Sequence, residues 1–128
     1  MKNKRKKIDK FWKVIDLINY NSYSDFHTAQ EKSSEILKNQ NILSISICEK
    51  LYNEINSIVV EEIIKRLYEG KLNHKYNFSN DSMLMDLPDT IIGNGEDFTL
   101  NFLNGLNVDN IEINEGLSYI FIKEKENE

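Results

Sequence analysis

His27, Glu31 and Glu35 come nearest, by residue type and spacing, to the ligands of a metal site. They are four residues apart, so in a helix they would stack along one face. Imidazole and carboxylate groups both bind zinc. However, each step drifts by about 40° around the helix axis, and no His-Glu-x-x-His motif supplies further ligands. We therefore expect a solvated helix face here, and we predict no metal and no other cofactor.

The other candidate catalytic groups also lack the partners that their chemistry needs. His74 lies in a polar stretch, where we expect an exposed loop, and Cys48 lies on an apolar stripe, which favours a core thiol over a nucleophile. No Gly-x-Ser-x-Gly motif is present. The Gly93–Gly95 turn is followed by Glu96 and Asp97, whose charge would repel a phosphate. No catalytic residue is predicted, and a small enzyme with an unrecognised site stays open as an alternative.

Charge is distributed very unevenly along the 128 residues, whose net charge is −5. Residues 1–13 contain seven bases and one acid, a net charge of +6, and the remainder has nine bases and twenty acids, a net charge of −11. Residues 76–122 contain eight acids and neither Lys nor Arg. This acid-only segment is either a set of solvated loops or a face that docks on a basic protein. The residues predicted to bind such a partner are Asp81, Asp86, Asp89, Glu96, Asp97 and Glu112.

The net charge, the length of the apolar runs and the single cysteine disfavour several other classes of function. The basic N-terminus could contact phosphates, but no nucleic-acid-binding motif follows and the net charge of −11 would repel the backbone, so direct nucleic-acid binding is not expected. The longest apolar run is Tyr119–Ile122, which excludes a transmembrane helix. The apolar stretch after the basic residues is interrupted by charges, so no signal peptide is expected. With one cysteine and therefore no internal disulfide, we expect a cytosolic protein.

Three helices are predicted in the first seventy residues. Apolar residues from Ile8 to Ile18 recur at three- and four-residue spacing, which is typical of one helix face. Ser24 can cap a second helix. The segment from Ser46 to Glu49 has the form of a capping box and begins a third helix, which Gly70 would end. At about 24 residues this helix would be about 36 Å long.

The second half of the chain is predicted to be less regular. Residues 71–90, which contain the only proline, Pro88, are interpreted as an ordered connection. Asn94 and Gly95 form a turn dipeptide, after which a short helix would run to Gly105. The end of the chain is rich in strand-forming residues on both sides of a turn, which predicts a β-hairpin. Its two strands would be Val108–Ile113 and Leu117–Ile122.

The predicted fold is therefore α+β: a mostly helical single domain of about four helices with a C-terminal β-hairpin. Trp12 and Leu51 lie on the apolar stripes of the first and third helices, so we expect them to share one core. The globular domain would span residues 8–122. Residues 1–7 would be a basic N-terminus that frays, because its charge opposes the helix dipole. Residues 123–128 would be a charged tail.

Several short motifs resemble an uncharacterised bacterial family. Phe11-Trp12-x-x-Ile15-Asp16 is similar to the Phe-Trp-x-x-Ile-Asp opening helix of that family, and Leu43-Ser44 is similar to the entry to its central helix. The segment from Gly93 to Phe98, with Gly105, resembles its later glycine, paired-acid and aromatic motif. The resemblance covers residues 11–105 discontinuously. It implies a small accessory protein encoded near toxin and immunity genes, and it implies no activity.

These observations together favour a small acidic binding protein that acts stoichiometrically. It would be an immunity protein or inhibitor that docks on a basic protein such as a nuclease toxin, since carboxylates on a rigid scaffold can mimic the charge of nucleic acid. A phage-encoded inhibitor of a host defence nuclease would use the same chemistry. The identity of the partner, the oligomeric state, and pairing of the hairpin edge with another chain are left open by the sequence.

Overall fold

The computed structural model describes residues 2–73 and 80–127, and these residues form an all-helical fold. No strand is present among them. A 3-10 turn at Tyr20–Ser22 follows the first of six α-helices. The helices are α1 (Lys2–Ile18), α2 (Phe26–Asn39), α3 (Ile45–Tyr68), α4 (Asn80–Gly93), α5 (Glu96–Leu103) and α6 (Leu117–Glu126).

The predicted α+β class and its C-terminal hairpin are wrong, because residues 117–126 form α6. The buried side chains of this segment are Leu117, Ile120, Phe121 and Glu124, which is helical spacing. A strand would instead have buried every second residue, yet Tyr119 is exposed. The strand-like composition therefore misled the prediction, and the helical spacing belongs to the buried residues, which only the structure identifies. Residues 104–116 form an irregular connection between α5 and α6.

Helix α6 packs on α2, α3 and α4. The Phe121 ring lies 5.2 Å from the Tyr52 ring of α3 and 6.2 Å from the Phe11 ring of α1, between ring centroids. Trp12 packs edge-on against Phe11 at 5.2 Å. Trp12 and Leu51 are both buried in this core, so the prediction that they share one core is confirmed.

Helix α3 has the predicted 24 residues and ends as predicted at Gly70. The amide of Gly70 donates to the carbonyl of Leu67 at 3.2 Å, and the amide of Lys71 donates to the carbonyl of Arg66 at 2.8 Å. This pair of bonds is a Schellman motif, which needs the left-handed backbone that Gly70 supplies at φ 68°. Cys48 is completely buried on α3, which confirms the prediction of a core thiol.

Two helix starts differ slightly from the prediction. The N-cap of α3 is Ser44 and not Ser46, and its hydroxyl accepts a hydrogen bond from the third helical amide at 3.4 Å. The N-cap of α2 is Asp25 and not Ser24, and its carboxylate accepts from the third helical amide at 2.9 Å. Adjacent residues with capping side chains compete for the same position, and local sequence does not decide between them.

Helix α4 replaces much of the predicted connection over residues 71–90, a further correction. Met83, Leu87 and Ile91 recur every fourth residue and are buried. Pro88 lies inside this helix, where a proline removes one backbone hydrogen bond at a cost of about 3 kcal/mol. Burial of the apolar face outweighs that cost. The turn residues predicted between 74 and 79 lie outside the described residues.

The short helix predicted after the Asn94–Gly95 turn is confirmed as α5. Arg66 of α3 fastens its C-terminal end. The buried guanidinium donates hydrogen bonds to the carbonyls of Phe102 and Leu106, the latter at 2.6 Å, and lies 4.1 Å from the centroid of the Phe102 ring. A cation is favourable at this end of the helix dipole. Glu62 accepts a further bond from the same guanidinium at 3.0 Å and balances its charge.

The first and last α-helices lie near the two ends of the described part of the chain. Helix α1 begins at Lys2, and residues 3–7 are exposed on it. That these turns fray in solution stays a prediction. Residues 123–126 of the predicted charged tail form the last turn of α6, where Lys125 pairs with Glu49 at 3.2 Å. Within the described ranges, none of the helices combines the length and the apolar character needed to cross a membrane.

Gly116 lies where three elements meet at the start of α6, and its backbone has φ of 104°. Gln30 donates to the Gly116 carbonyl at 2.7 Å and to the Tyr20 hydroxyl at 2.8 Å, and this hydroxyl donates to the Glu115 carbonyl at 2.5 Å. A Cβ atom at position 116 would lie 2.6 Å from Gln30 Nε2 and from the Phe26 ring. Gly116 is therefore needed both for its backbone conformation and for the close packing.

We predict that Gly116→Ala destabilises the fold more than Gly105→Ala does. Both glycines have positive φ, so both substitutions introduce backbone strain of about 1–3 kcal/mol. Only position 116 adds a steric conflict, since nothing lies within 4 Å of a Cβ at Gly105. Overpacking adds about 1–3 kcal/mol. Urea denaturation of the two variants measures the difference, and equal losses would contradict the packing described for α6.

Candidate functional site

Four carboxylates from two helices form what we call the acidic patch: Asp9 and Asp16 of α1, and Glu96 and Asp97 in the first turn of α5. Partial burial raises the pKa of Glu96, and the negative charges of Asp9, Asp97 and Asp16 raise it further. The start of α5 lies close to α1, because a Cβ at Gly95 would lie 3.4 Å from Oδ1 of Asp16. Two residues of the predicted partner-binding set therefore lie together on one surface.

Sequence reasoning did not predict that Asp9 and Asp16 bind a partner. Asp9 was counted in the N-terminal charge balance, and Asp16 was quoted in the motif Phe11-Trp12-x-x-Ile15-Asp16. Their seven-residue spacing places them on one face of α1, a signal that the sequence contains. The sequence does not show that this face lies beside the start of α5. Lys13 is one turn from both of them on α1, so the patch borders on the basic part of the chain.

Asp86 and Glu115 form a second acidic pair, separate from the patch. Asp86 is half-buried on α4, and its pKa is raised by burial first and then by the charges of Glu115 and Asp89. Glu112 is exposed in the connection between α5 and α6. Asp81 belongs to the first turn of α4, and its side chain lies outside the described residues. The six predicted residues are therefore not brought together into one cluster.

Asp89 is only 4% exposed, and its carboxylate is fully engaged inside the fold. The Tyr52 hydroxyl donates to Oδ1, and the Ser118 hydroxyl and amide donate to Oδ2 at 2.9 and 3.2 Å. Burial raises the pKa of Asp89 against the lowering effect of these hydrogen bonds and that of the Gly116 amide. Burial likewise holds the pKa of Tyr52 well above 10, so Tyr52 remains a donor at neutral pH.

The Asp89 cluster is a helix cap and does not have the geometry of a catalytic centre. Its carboxylate accepts hydrogen bonds at the N-terminus of α6, where an anion is favourable. Ser118 donates its hydroxyl proton to Asp89, and none of its hydrogen bonds within the described residues involves a histidine base of the kind that activates a serine nucleophile. Since Asp89 is buried and occupied, we leave it out of any docking surface.

The possible metal ligands do not converge. His27 and Glu31 are exposed, with 3.9 Å between imidazole nitrogen and carboxylate oxygen. Within residues 2–73 and 80–127, no group of three or more His, Cys, Asp or Glu side chains is placed to hold a metal ion. His74 lies outside the described residues. The prediction that folding needs no metal stays a prediction.

A groove between α2 and α6 runs along the side of the molecule that carries His27, with a volume of about 920 Å³. Ser34 and Glu124 line it, together with charged side chains from both helices. Sequence reasoning did not identify this groove, because it assigned residues 117–122 to a strand and residues 123–128 to a tail.

Comparison with known proteins found no matching family model, no matching curated protein and no matching solved structure. The resemblance to the bacterial family stays a hypothesis that rests on the quoted motifs. The function must therefore be argued from the groups on this molecule.

We predict that Asp89→Asn gains stability relative to the native chain as pH rises from the ordinary carboxyl pKa of 3.8. Because the folded pKa is raised, the unfolded chain loses its proton first, and the native free energy of unfolding falls until pH passes the folded pKa. Asparagine has no such proton. Urea denaturation at several pH values measures the free energy of unfolding of both proteins. If the folded pKa of Asp89 were ordinary, the difference between the two free energies would not change with pH.

Proposed function

We propose that this chain is a small acidic binding protein that acts by stoichiometric contact with a basic protein. The observation that carries the proposal is the acidic patch, in which Glu96 and Asp97 from the acid-only segment lie beside Asp9 and Asp16. Carboxylates held on two neighbouring helices present fixed negative charge. Such a surface attracts a basic partner without any chemical step.

The scaffold under the patch supports this interpretation. The first turn of α5 is set by Gly95 at its N-cap, and its C-terminal end is fastened by Arg66. Thr99 also donates to the Gly95 carbonyl at 2.8 Å. A patch carried by a short but anchored helix loses little conformational entropy on binding, which favours affinity.

The finer form of the proposal is an immunity protein or inhibitor that neutralises a basic toxin such as a nuclease. A nuclease binds phosphates with basic residues, so a rigid acidic surface can occupy that site by mimicking its substrate. We place this action in the cytosol, as the single buried cysteine is compatible with a reducing compartment. An inhibitor of a host defence nuclease carried by a phage would act by the same contact, and the neighbouring genes would distinguish the two.

We predict that neutralising the acidic patch abolishes capture of the partner. The variant carries Asp9→Asn, Asp16→Asn, Glu96→Gln and Asp97→Asn. Three of these positions are exposed and Glu96 is partly buried, and surface positions of this kind tolerate amides without unfolding. Affinity capture from a lysate of the source organism, read by mass spectrometry, should recover a basic protein with the native chain and not with the variant.

A matched control removes four exposed acids that lie outside both the patch and the groove between α2 and α6, at Glu54, Glu61, Glu69 and Glu126. It has the same net charge as the patch variant, so it separates the position of the charges from their number. Capture of the basic protein should survive in the control. If both variants capture it equally well, the patch serves only solvation and the proposed function is wrong.

We also predict that salt acts mainly on the association rate with that partner. Exposed charges are screened beyond a Debye length of about 8 Å at physiological ionic strength. Steering by the patch should raise the association rate by at least about tenfold at low salt, while dissociation changes little. Stopped-flow measurement over a salt series tests this, and an association rate independent of salt would contradict electrostatic docking.

A further inference from the structure

We propose that the groove between α2 and α6 binds a primary ammonium group, carried by an aliphatic diamine or by a lysine side chain. The inference concerns a different surface from the acidic patch and does not depend on the proposed function. It rests on two buried polar side chains that line the groove and have no side-chain partner among the described residues, and on the direction of the two helices.

Ser34 supplies the first observation. Ser34 is 7% exposed and lines the groove from the α2 side. Its Oγ is buried and has no hydrogen-bond partner among residues 2–73 and 80–127. A buried hydroxyl without a partner loses its hydration without compensation, so such groups are uncommon unless something else satisfies them. The Oγ atom is closed off from solvent in this structure, so a donor in the groove would supply the missing bond once the Ser34 side chain rotates towards it.

Glu124 supplies the second observation. It is 6% exposed on α6 and lines the same groove. None of the ion pairs and side-chain hydrogen bonds between described residues involves its carboxylate, whereas the next residue, Lys125, pairs outward with Glu49. Charged side chains are rarely this buried without a partner of opposite charge. The group that best fits beside Glu124 is therefore a cation.

The orientation of the helices adds to this preference. Gln30, near the start of α2, donates to the carbonyl of Gly116, just before α6. Asn39, at the end of α2, and Asn127, just after α6, line the same groove. The two helices are therefore parallel, and their C-terminal ends lie at one end of the groove. Each end carries partial negative charge from free carbonyls, which stabilises a cation there.

A primary ammonium group matches these features better than other cations. It has three donors, enough for the Glu124 carboxylate, the Ser34 hydroxyl and one carbonyl. Its alkyl chain would lead towards Glu31 and Glu35, which line the groove and are exposed, and a second ammonium could pair there. Lys38 and Lys123 also lie on the rim, so an anion is the alternative that the experiment must exclude.

The experiment is an NMR titration of the full-length, isotopically labelled chain. The probes are putrescine, Nα-acetyl-lysine amide as a lysine side-chain mimic, and sodium acetate. We expect saturable shifts around Ser34 and Glu124 with an ammonium probe at millimolar concentrations. Tighter binding of putrescine would assign the groove to a free diamine, and equal or tighter binding of the lysine mimic would assign it to a lysine of a protein.

Two pairs of variants make the test specific. Glu124→Gln should weaken binding by about tenfold or more, because it removes a charge-assisted hydrogen bond, while Glu126→Gln removes an exposed charge from the same helix and should leave binding unchanged. Ser34→Ala should retain the native melting temperature, as its hydroxyl has no partner to lose, and should weaken binding several-fold. It keeps the test valid even if Glu124→Gln does not fold.

Lys123→Gln distinguishes the sign of the ligand. It should strengthen ammonium binding or leave it unchanged, because it removes a positive charge from the rim. The proposal is overturned if neither ammonium probe binds saturably, or if Glu124→Gln and Ser34→Ala bind as tightly as the native chain. It is also overturned if acetate binds in the groove and Lys123→Gln weakens that binding.

Discussion

The fold depends on the hydrogen bonds that the Asp89 carboxylate accepts at the start of α6. They join three helices, since Asp89 lies on α4, Tyr52 on α3 and Ser118 on α6. An anion buried at this depth is costly, and the N-terminus of a helix is one of the few places in a core where donors and a favourable dipole offset the cost. Helix α6 begins there and then carries Phe121 into the aromatic core.

The same interaction divides the acid-only segment into residues with different roles. Asp89 is used to build the fold, and Asp86 is half-buried beside Glu115. Glu96 and Asp97 remain at the surface, where α1 adds two more carboxylates. A run of acids in sequence is therefore not one surface in space. The part of it that can attract a partner is smaller than its length suggests, and it is completed by residues from elsewhere in the chain.

Two surfaces of this molecule thus offer negative charge in different ways. The acidic patch is open and consists of several carboxylates, which suits long-range attraction and a protein partner. The groove is lined by the buried Glu124 and Ser34, which suits one cation held at short range. The groove exists because α6 is a helix. A hairpin at the end of the chain would have removed the groove.

The sequence by itself determined the elements whose signals are local. The long α3, the short α5 and the burial of Trp12 and Cys48 follow from apolar spacing and from glycines that end helices. Only the tertiary structure decided α4 and α6. In α4, packing of the apolar face outweighs the cost of Pro88, and in α6, burial between α2 and α3 outweighs a strand-like composition. Likewise, only the fold brings Asp9 and Asp16 beside Glu96 and buries Asp89, because a charge's environment depends on neighbours that are distant in sequence.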